Sequence, residues 1–329
     1  MTRYFSAAGD FDQALACGRR ALEIGDTLGN VELQVETRFQ LGRECYILGE
    51  YQSAIALLVK NIETLQGELR SRRFGLPFVA SAGTRSWLAR CLAERGEFAE
   101  GIAHAEEAVE IAEAASDALS LADAHYSLGY LRLLRGEFPK ATSELERSLS
   151  IVRSSDLRII FSGTAAALGV AYARCGEFTQ ALPLLDQVAR QSEGERWSQW
   201  AASLSEAYLL ADRRDQALAL TERALKMSDP RQRSFRAAML QLLGEIASRR
   251  DPVDAERADR GYHEALAVAT ELGMRPLQAH GHLGLGKLCA QGGHHERARA
   301  HLSAAADLYR TIDMAFWLPE VESVPAPTR

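Results

Sequence analysis

Landmarks of small, acidic and aromatic residues recur along the chain with a period close to 40 residues. A typical landmark is Gly136-Glu137-Phe138, in which an acidic residue stands between a glycine and an aromatic residue. Such triplets begin, at intervals of 40, 47, 40 and 40 residues, at Gly9, Gly49, Gly96, Gly136 and Gly176. Weaker landmarks in the same frame follow at Asp212, Asp251 and Gly293. The pattern predicts an array of about eight repeats.

Small residues stand at fixed distances after each of these glycines and before all of them except Gly9. Seven residues before the glycine comes a small residue that usually follows a leucine, as in Leu128-Gly129, and Ala141 follows Gly136 by five residues. Small side chains allow two helices to approach closely, and a glycine with positive φ commonly ends a helix. An acidic residue next to it suits the positive N-terminal end of the following helix. We therefore predict that each repeat is a pair of antiparallel helices joined by a tight turn.

This spacing resembles the tetratricopeptide repeat, although that repeat usually has about 34 residues and the period here is longer. The resemblance implies an all-α fold, a tetratricopeptide-type α-solenoid in which antiparallel helix pairs form a right-handed superhelix. It also implies that the first helix of each repeat lines the concave face. We expect a single solenoid over residues 1–318, with an incomplete first repeat, and a C-terminal tail over residues 319–329.

Several stretches resemble a more particular group of proteins. They include residues 273–280, residues 283–288 and the ending at residues 314–318. Together they resemble the C-terminal tetratricopeptide region of bacterial proteins that carry a class III adenylate/guanylate cyclase domain and an AAA-type ATPase domain. We find neither the scaffold and carboxylates of such a cyclase nor the strand and glycine-rich loop of such an ATPase. The resemblance therefore implies the regulatory or scaffolding part of such a system, without its catalytic domains.

Composition and charge narrow the classes of function. The net charge of −6 argues against nucleic-acid binding, which usually needs an excess of Lys and Arg. No run of apolar residues predicts a transmembrane helix, and residues 1–15 lack the apolar stretch of a signal peptide. The five cysteines are scattered and form no CxxC pair, which suits free thiols in a reducing compartment. We expect a cytoplasmic protein that binds neither nucleic acid nor membrane.

Three local motifs allow a chemical interpretation, but a simpler one is favoured for each. Residues 281–287 fit the phosphate-binding pattern GxxxxGK, yet Leu288 replaces the hydroxyl residue and the segment is predicted to be helical. The basic residues 70–73 suit an acidic partner or a solvated loop. Five histidines lie close together in sequence, without a Cys or carboxylate cluster to complete a metal site: His280, His282, His294, His295 and His301. We predict no cofactor, no metal and no enzymatic activity.

The frame of the repeats also selects candidate binding residues. Under the tetratricopeptide resemblance, positions two, three, six and ten residues before each turn face inward from the first helices. Arg and Tyr are enriched at binding hot spots, so Arg43, Arg90, Tyr126 and Tyr130 are the first choice; the alternative for each is an ordinary contact between repeats. The full set of candidates is Arg43, Tyr46, Arg90, Glu94, Tyr126, Tyr130, Arg174, Glu206 and Lys287.

The sequence thus predicts a non-catalytic scaffold or sensor arm of a bacterial signalling system that binds a protein or peptide. A cyclase/ATPase signalling chain is one candidate partner. The first alternative is a sensor that holds a small molecule inside the superhelix. The others are a separated regulatory part that acts in trans on a cyclase or ATPase, and a remnant of a larger gene, suggested by the start of the chain within a repeat.

Overall fold

The computed structural model describes the backbone of residues 9–191 and 195–324, and the side chains of residues 9–190 and 201–324. Within these ranges all regular secondary structure is helical. The helices are α1 (Phe11–Leu28), α2 (Val31–Leu48), α3 (Tyr51–Thr64), α4 (Ala80–Arg95), α5 (Phe98–Ala114), α6 (Ala118–Arg135), α7 (Phe138–Ser154), α8 (Arg158–Arg174), α9 (Phe178–Gln191), α10 (Glu195–Leu210), α11 (Arg214–Met227), α12 (Arg233–Ser248), α13 (Ala255–Leu272), α14 (Arg275–Gln291), α15 (His295–Thr311) and α16 (Leu318–Glu322). Two short 3-10 helices are Gly67–Ser71 and Ala315–Trp317.

The helices follow the predicted pairing. Helices α2 to α15 form successive pairs, in which an even-numbered first helix turns into the odd-numbered second helix. Helix α1 is the second helix of the first repeat, which the sequence predicted to be incomplete, and residues 1–8 lie outside the described residues. The prediction of an all-α solenoid built from antiparallel helix pairs is confirmed.

Most turns between paired helices have the predicted left-handed conformation, whereas Asp251, the landmark between α12 and α13, does not have a positive φ angle. The φ angles are 82° at Gly49, 93° at Gly136 and 81° at Gly176, where a residue with a Cβ atom is normally disfavoured. Asp212 takes the same role with a φ of 59°, and Asp is among the few residues that tolerate this region. The weaker landmark at Asp212 therefore marks a turn of the same kind.

Close helix packing explains the small residues on either side of the turns. A methyl group at Gly42 would lie 3.0 Å from Cγ of Leu58, and one at Gly286 would lie 2.7 Å from Cδ2 of Leu302. In the α10–α11 pair, the Ser205 hydroxyl donates a hydrogen bond of 2.8 Å to the carbonyl oxygen of Ala217. The small residues before and after each turn thus lie where the two helices approach each other.

The chain divides into two compact units. Unit 1 comprises Met1–Ala93, Glu97–Leu131 and Ser143–Thr164, and unit 2 comprises Glu94–Gly96, Arg132–Thr142 and Ala165–Arg329. The core of unit 1 includes Phe39, Leu58 and Leu88, which are at most 1% exposed. It extends into the long connection between α3 and α4, where Phe74 and Leu76 are buried. This connection accounts for the single interval of 47 residues.

Unit 2 contains the C-terminal end of the described chain. Residues 319–322, which the sequence assigned to a tail, form most of α16, and Val321 is buried. Trp317, directly before α16, is also buried. Residues 325–329, the rest of that predicted tail, lie outside the described residues.

The structure also describes the cysteines and the apolarity of the helices. All five cysteines are free, and Cys45, Cys91 and Cys289 are buried, whereas Cys175 is exposed. None of the helices in the described part of the chain combines the length and apolarity needed to cross a membrane.

Candidate functional site

In unit 1, arginine and aromatic side chains stack across three consecutive first helices. The guanidinium carbon of Arg43 on α2 lies 4.9 Å from the ring centroid of Trp87 on α4. Arg90, one helical turn after Trp87, lies 4.5 Å from the same ring and 4.6 Å from the ring of Tyr126 on α6. These distances are those of cation–π contacts. The stack links the first helices of successive repeats through Trp87.

Arg90 is held within this stack by polar contacts as well. Its Nε donates a hydrogen bond of 2.9 Å to the Ser127 hydroxyl, and its guanidinium forms an ion pair with Asp123. Burial opposes its charge, but the charge and hydrogen bond of Asp123, together with Tyr126 and Tyr46, outweigh burial and raise the pKa of Arg90. Arg90 is only 6% exposed. Its geometry suits a contact between repeats, and a role for it in ligand binding stays a prediction.

The other candidates in unit 1 are more accessible. Arg43, Tyr46, Tyr126 and Tyr130 are each half-buried. The ring of Tyr46 packs edge-on against Trp87 at 5.4 Å, and the rings of Tyr126 and Tyr130 stack at 6.1 Å. We call these four residues together with Trp87 the unit-1 face. They form one row of planar groups whose partly exposed members are held in place by their neighbours.

In unit 2, the remaining candidates form a network of charges. Arg174 Nε on α8 donates a hydrogen bond of 2.8 Å to Glu206 on α10, and Lys287 on α14 donates one of 2.8 Å to Glu320. Burial opposes the charge of Arg174, but Glu206, Glu245 and Glu320 outweigh it and raise its pKa. Arg174, Glu206 and Lys287 therefore belong to one electrostatic cluster, and a role for them in ligand binding stays a prediction. Glu94 also belongs to unit 2, at the half-buried end of α4.

Residues from the C-terminal end complete this cluster. The guanidinium of Arg174 lies 5.0 Å from the ring of Trp317. His280 contacts the same ring, with centroids 4.6 Å apart, and its Nδ1 lies 2.8 Å from the hydroxyl of Tyr309. Burial, with the positive charges of Arg174 and Lys287, lowers the pKa of His280 to about 3. His280 is therefore neutral at pH 7.

The phosphate-binding pattern and the histidine group have structural explanations. Residues 281–287 lie inside α14, where the backbone N–H groups are engaged in the helix, and Gly286 packs against α15. His282 and His301 approach each other, with Nδ1 atoms 3.0 Å apart, whereas His280 faces Tyr309. Among the described residues, no group of three or more His, Cys, Asp or Glu side chains is arranged to hold a metal ion.

The basic residues 70–73 are tied to neighbouring side chains. Arg70 forms an ion pair of 2.9 Å with Glu107, and Arg73 pairs with Asp117. Arg72 lies 4.8 Å from the ring of Phe74. Two of these arginines therefore fasten the long connection to α5 and to the start of α6. The interpretation as a merely solvated loop missed these contacts.

An open cleft of about 480 Å³ lies between α9, α10 and α11 in unit 2. Leu204, Leu220 and Tyr208 are among its lining residues, and the Tyr208 hydroxyl donates a hydrogen bond of 3.0 Å to Asp186. It lies on the side of the second helices α9 and α11. This cleft is not the closed concave pocket that would favour the small-molecule alternative.

Comparison with known proteins agrees with the fold. Three models described as tetratricopeptide repeat match residues 81–154, 162–187 and 251–311, so the chain contains tetratricopeptide repeats. A solved Rap protein complexed with competence and sporulation factor is 16% identical, with a TM-score of 0.64 over 82% of this chain and 73% of that chain. No curated protein matches the sequence. These matches do not support the particular resemblance to cyclase–ATPase proteins.

Two further solved structures share the fold at low identity. The Rap conjugation gene regulator of the plasmid pLS20, in complex with the Phr* peptide, is 14% identical, with a TM-score of 0.61 over 86% of this chain and 77% of that chain. NprR in complex with its cognate peptide NprX is 14% identical, with a TM-score of 0.57 over 83% of this chain and 81% of that chain. Similarity at this level establishes the fold alone.

Sequence reasoning missed the residues that join the candidates together. Trp87 is central to the unit-1 face, and its position three residues before Arg90 was an available signal, because residues three apart are neighbours on a helix. Trp317 and Glu320 carried no such signal. Their contacts with Arg174 and Lys287 are not visible in the repeat pattern.

Proposed function

We propose that this chain is a non-catalytic scaffold that binds an extended segment of a protein or peptide partner along the unit-1 face. The observation that carries the proposal is the row of partly exposed arginine and aromatic side chains on three consecutive first helices. Trp, Tyr and Arg are the residue types that most often dominate binding energy at interfaces. Their alignment across α2, α4 and α6 suits a ligand that runs from repeat to repeat.

Preorganisation of this row supports the proposal. Trp87 is fixed between Arg43 and Arg90, and Tyr126 is fixed between Arg90 and Tyr130. Side chains that are already ordered lose little conformational entropy when a ligand binds. The buried Arg90–Asp123 pair serves here as a support beneath the exposed rings rather than as a ligand contact.

The similar structures point in the same direction. The two Rap proteins and NprR were solved with a factor or a peptide bound. A peptide ligand for this chain, and a role in bacterial signalling, are consistent with that fold. The free cysteines suit the reducing conditions of a cytoplasm. A cyclase or ATPase as the partner rests only on the sequence resemblance.

The proposal is tested by selecting ligands from a random peptide library displayed on phage, with the purified chain as the target. The selected peptides are then synthesised, and their affinities are measured by fluorescence anisotropy. Tyr130→Ala should weaken binding about tenfold or more, because it removes a partly exposed ring from the row. The matched control is Ile159→Ala, which truncates a side chain in unit 1 that is 64% exposed and outside the unit-1 face.

Equal affinities for Tyr130→Ala and the wild-type protein would refute the assignment of the unit-1 face. Thermal unfolding of each variant, followed by circular dichroism, verifies that the fold is retained. Failure to select any peptide with a folded target would argue against peptide binding altogether.

A further inference from the structure

The end of the described chain packs against the turn between α6 and α7 within unit 2. Arg135 forms an ion pair with the Asp313 carboxylate, and its Nε donates a hydrogen bond of 3.2 Å to the Asp313 carbonyl oxygen. The next residue, Gly136, faces Phe316 so closely that a methyl group there would lie 2.8 Å from the Phe316 Cβ. Residues 313–320, which we call the C-terminal segment, therefore lie against a turn 178 residues earlier in sequence.

Aromatic contacts continue this packing. The rings of Phe316 and Phe138 meet edge-on at 4.8 Å, and Trp317 lies 6.1 Å from the same Phe138 ring. Arg174 lies over Trp317 at 5.0 Å. Phe138 and Arg174 thus receive two adjacent aromatic side chains of the C-terminal segment.

An ion pair lies at each end of the C-terminal segment. Asp313 at one end pairs with Arg135, and Glu320 at the other end pairs with Lys287 at 2.8 Å. Glu320 also contributes to the raised pKa of Arg174. The segment presents an acidic residue, two aromatic residues and a second acidic residue to a surface that supplies three cations and an aromatic ring.

We propose that Arg135, Gly136, Phe138, Arg174 and Lys287 form a second binding surface, the unit-2 surface, for partner segments that carry an aromatic pair between acidic residues. The C-terminal segment is its resident intramolecular ligand, which such a partner segment displaces. This inference goes beyond the proposed function, because it concerns different residues in the other unit. It adds regulation, since the chain competes with its own partner.

The contacts between the C-terminal segment and the unit-2 surface are exposed enough for a competing peptide to replace them. Phe316 is 51% exposed, and the side chain of Asp313 is 71% exposed. Ion pairs with such exposure contribute little stability. The indole Nε1 of Trp317 is buried, yet it has no hydrogen-bond acceptor among the described residues. An unsatisfied buried donor destabilises the docked arrangement and favours release of the segment.

The simpler interpretation is a fixed cap on the last repeat. Trp317 packs on His280 and Tyr309 of that repeat, and such contacts are expected where a solenoid ends. A cap explains the burial of Trp317, but it gives no role to the exposed Phe316 or to the pairing of Asp313 with Arg135. The two interpretations differ in whether the unit-2 surface accepts the same segment from a separate peptide.

The test uses a fluorescein-labelled synthetic peptide with the sequence of residues 313–320, titrated with the full chain and followed by anisotropy. In the loosened variant, Phe316→Ala is combined with Asp313→Asn. Asn tolerates the φ of 57° at position 313, so the backbone is not strained. We expect the peptide to bind the loosened variant at least tenfold more tightly than the wild-type protein, because the resident competitor is weakened. Unlabelled peptide should displace the labelled one.

Two further variants define the surface. Arg135→Glu in the loosened background should reduce the affinity at least tenfold. Arg158→Glu is the matched control, because Arg158 lies in unit 1, its side chain is 89% exposed, and its ion pair is with Asp156. This variant should leave the affinity unchanged. A peptide in which Phe316 and Trp317 are replaced by alanine should bind at least tenfold less tightly.

Equal affinity of the peptide for the wild-type protein and the loosened variant would overturn the competition. Binding that is insensitive to Arg135→Glu, or no binding to a loosened variant that remains folded by circular dichroism, would overturn the unit-2 surface. Tyr130→Ala should leave the affinity for this peptide unchanged. The failure of this inference is therefore distinguishable from failure of the proposed function on the unit-1 face.

Discussion

Alanine substitutions at two glycines in neighbouring helices of unit 2 should change the stability of the protein in opposite directions. A methyl group at Gly261 on α13 would lie 2.9 Å from the amide nitrogen of Gly244 and 2.9 Å from the carbonyl oxygen of Leu240. Both are backbone atoms of α12, so the helices themselves would have to separate. A methyl group at Gly281 on α14 would lie 3.5 Å from Leu266 Cβ, which is an ordinary van der Waals distance.

The magnitudes follow from these contacts. Alanine in place of a helical glycine stabilises a helix by about 0.5–1 kcal/mol, so Gly281→Ala should raise the free energy of unfolding by about that amount. Overpacking a closely packed site costs about 1–3 kcal/mol. At Gly261 the contacts are with rigid backbone, so the cost lies near the upper end of this range. After the gain in helix propensity is subtracted, Gly261→Ala should destabilise the protein by about 2 kcal/mol.

Urea unfolding followed by circular dichroism at fixed temperature measures both variants against the wild-type protein. The comparison uses shifts in the midpoint, because a repeat array need not unfold in a single step. Gly281→Ala serves as the internal control, since it makes the same chemical change without the close contact. A Gly261→Ala protein as stable as the wild type would refute the argument that α12 and α13 require a glycine at their crossing.

Three further predictions concern buried polar groups. Arg90→Ala should lower the free energy of unfolding by about 3 kcal/mol, because it leaves the Asp123 carboxylate without its buried partner. The midpoint of urea unfolding at pH 7 measures this loss, and an unchanged midpoint would contradict the prediction. The pKa of His280 lies at about 3 in the folded protein and near its ordinary value in the unfolded protein, so protonation favours unfolding as the pH falls below about 6.5. Between pH 7 and pH 5 the free energy of unfolding of the wild-type protein should fall by about 2 kcal/mol. A His280→Gln variant should not show this loss. Burial and the charge of Glu50 raise the pKa of the Cys45 thiol to about 12, so Cys45 should react with a thiol reagent only after unfolding. The exposed Cys175 should react in the native protein. Mass spectrometry of the labelled peptides identifies which cysteine has reacted.

The sequence predicted the turns and close crossings between helices that are adjacent in the chain. Gly136 and Asp212 mark turns because each must adopt a left-handed conformation, and that requirement restricts the residue type locally. Gly42 and Gly286 mark close crossings for a similar reason. The short α16 was missed because five residues leave too little periodicity to distinguish a helix from a tail.

The candidate sites show where such reasoning stops. The frame places Arg174, Glu206 and Lys287 on first helices, but it does not predict the charge network that links them through Glu320. It does not reveal that Arg90 is enclosed by Trp87 and Tyr126, since burial depends on side chains from two other elements. The contact between Arg135 and Asp313 is still less accessible, because it joins repeats that the period treats as distant.

That last contact also affects how unit 2 folds and unfolds. In a linear solenoid each repeat touches only its neighbours, so the terminal repeat is free to fray independently of the rest. Here the chain closes a loop of 178 residues, which raises the contact order of unit 2 and adds an entropic cost to be met before the final contacts form. Once closed, the C-terminal repeat cannot separate without also releasing the turn at Gly136. While the C-terminal segment is docked, the end of the described chain is therefore less free to fray than the end of a linear solenoid.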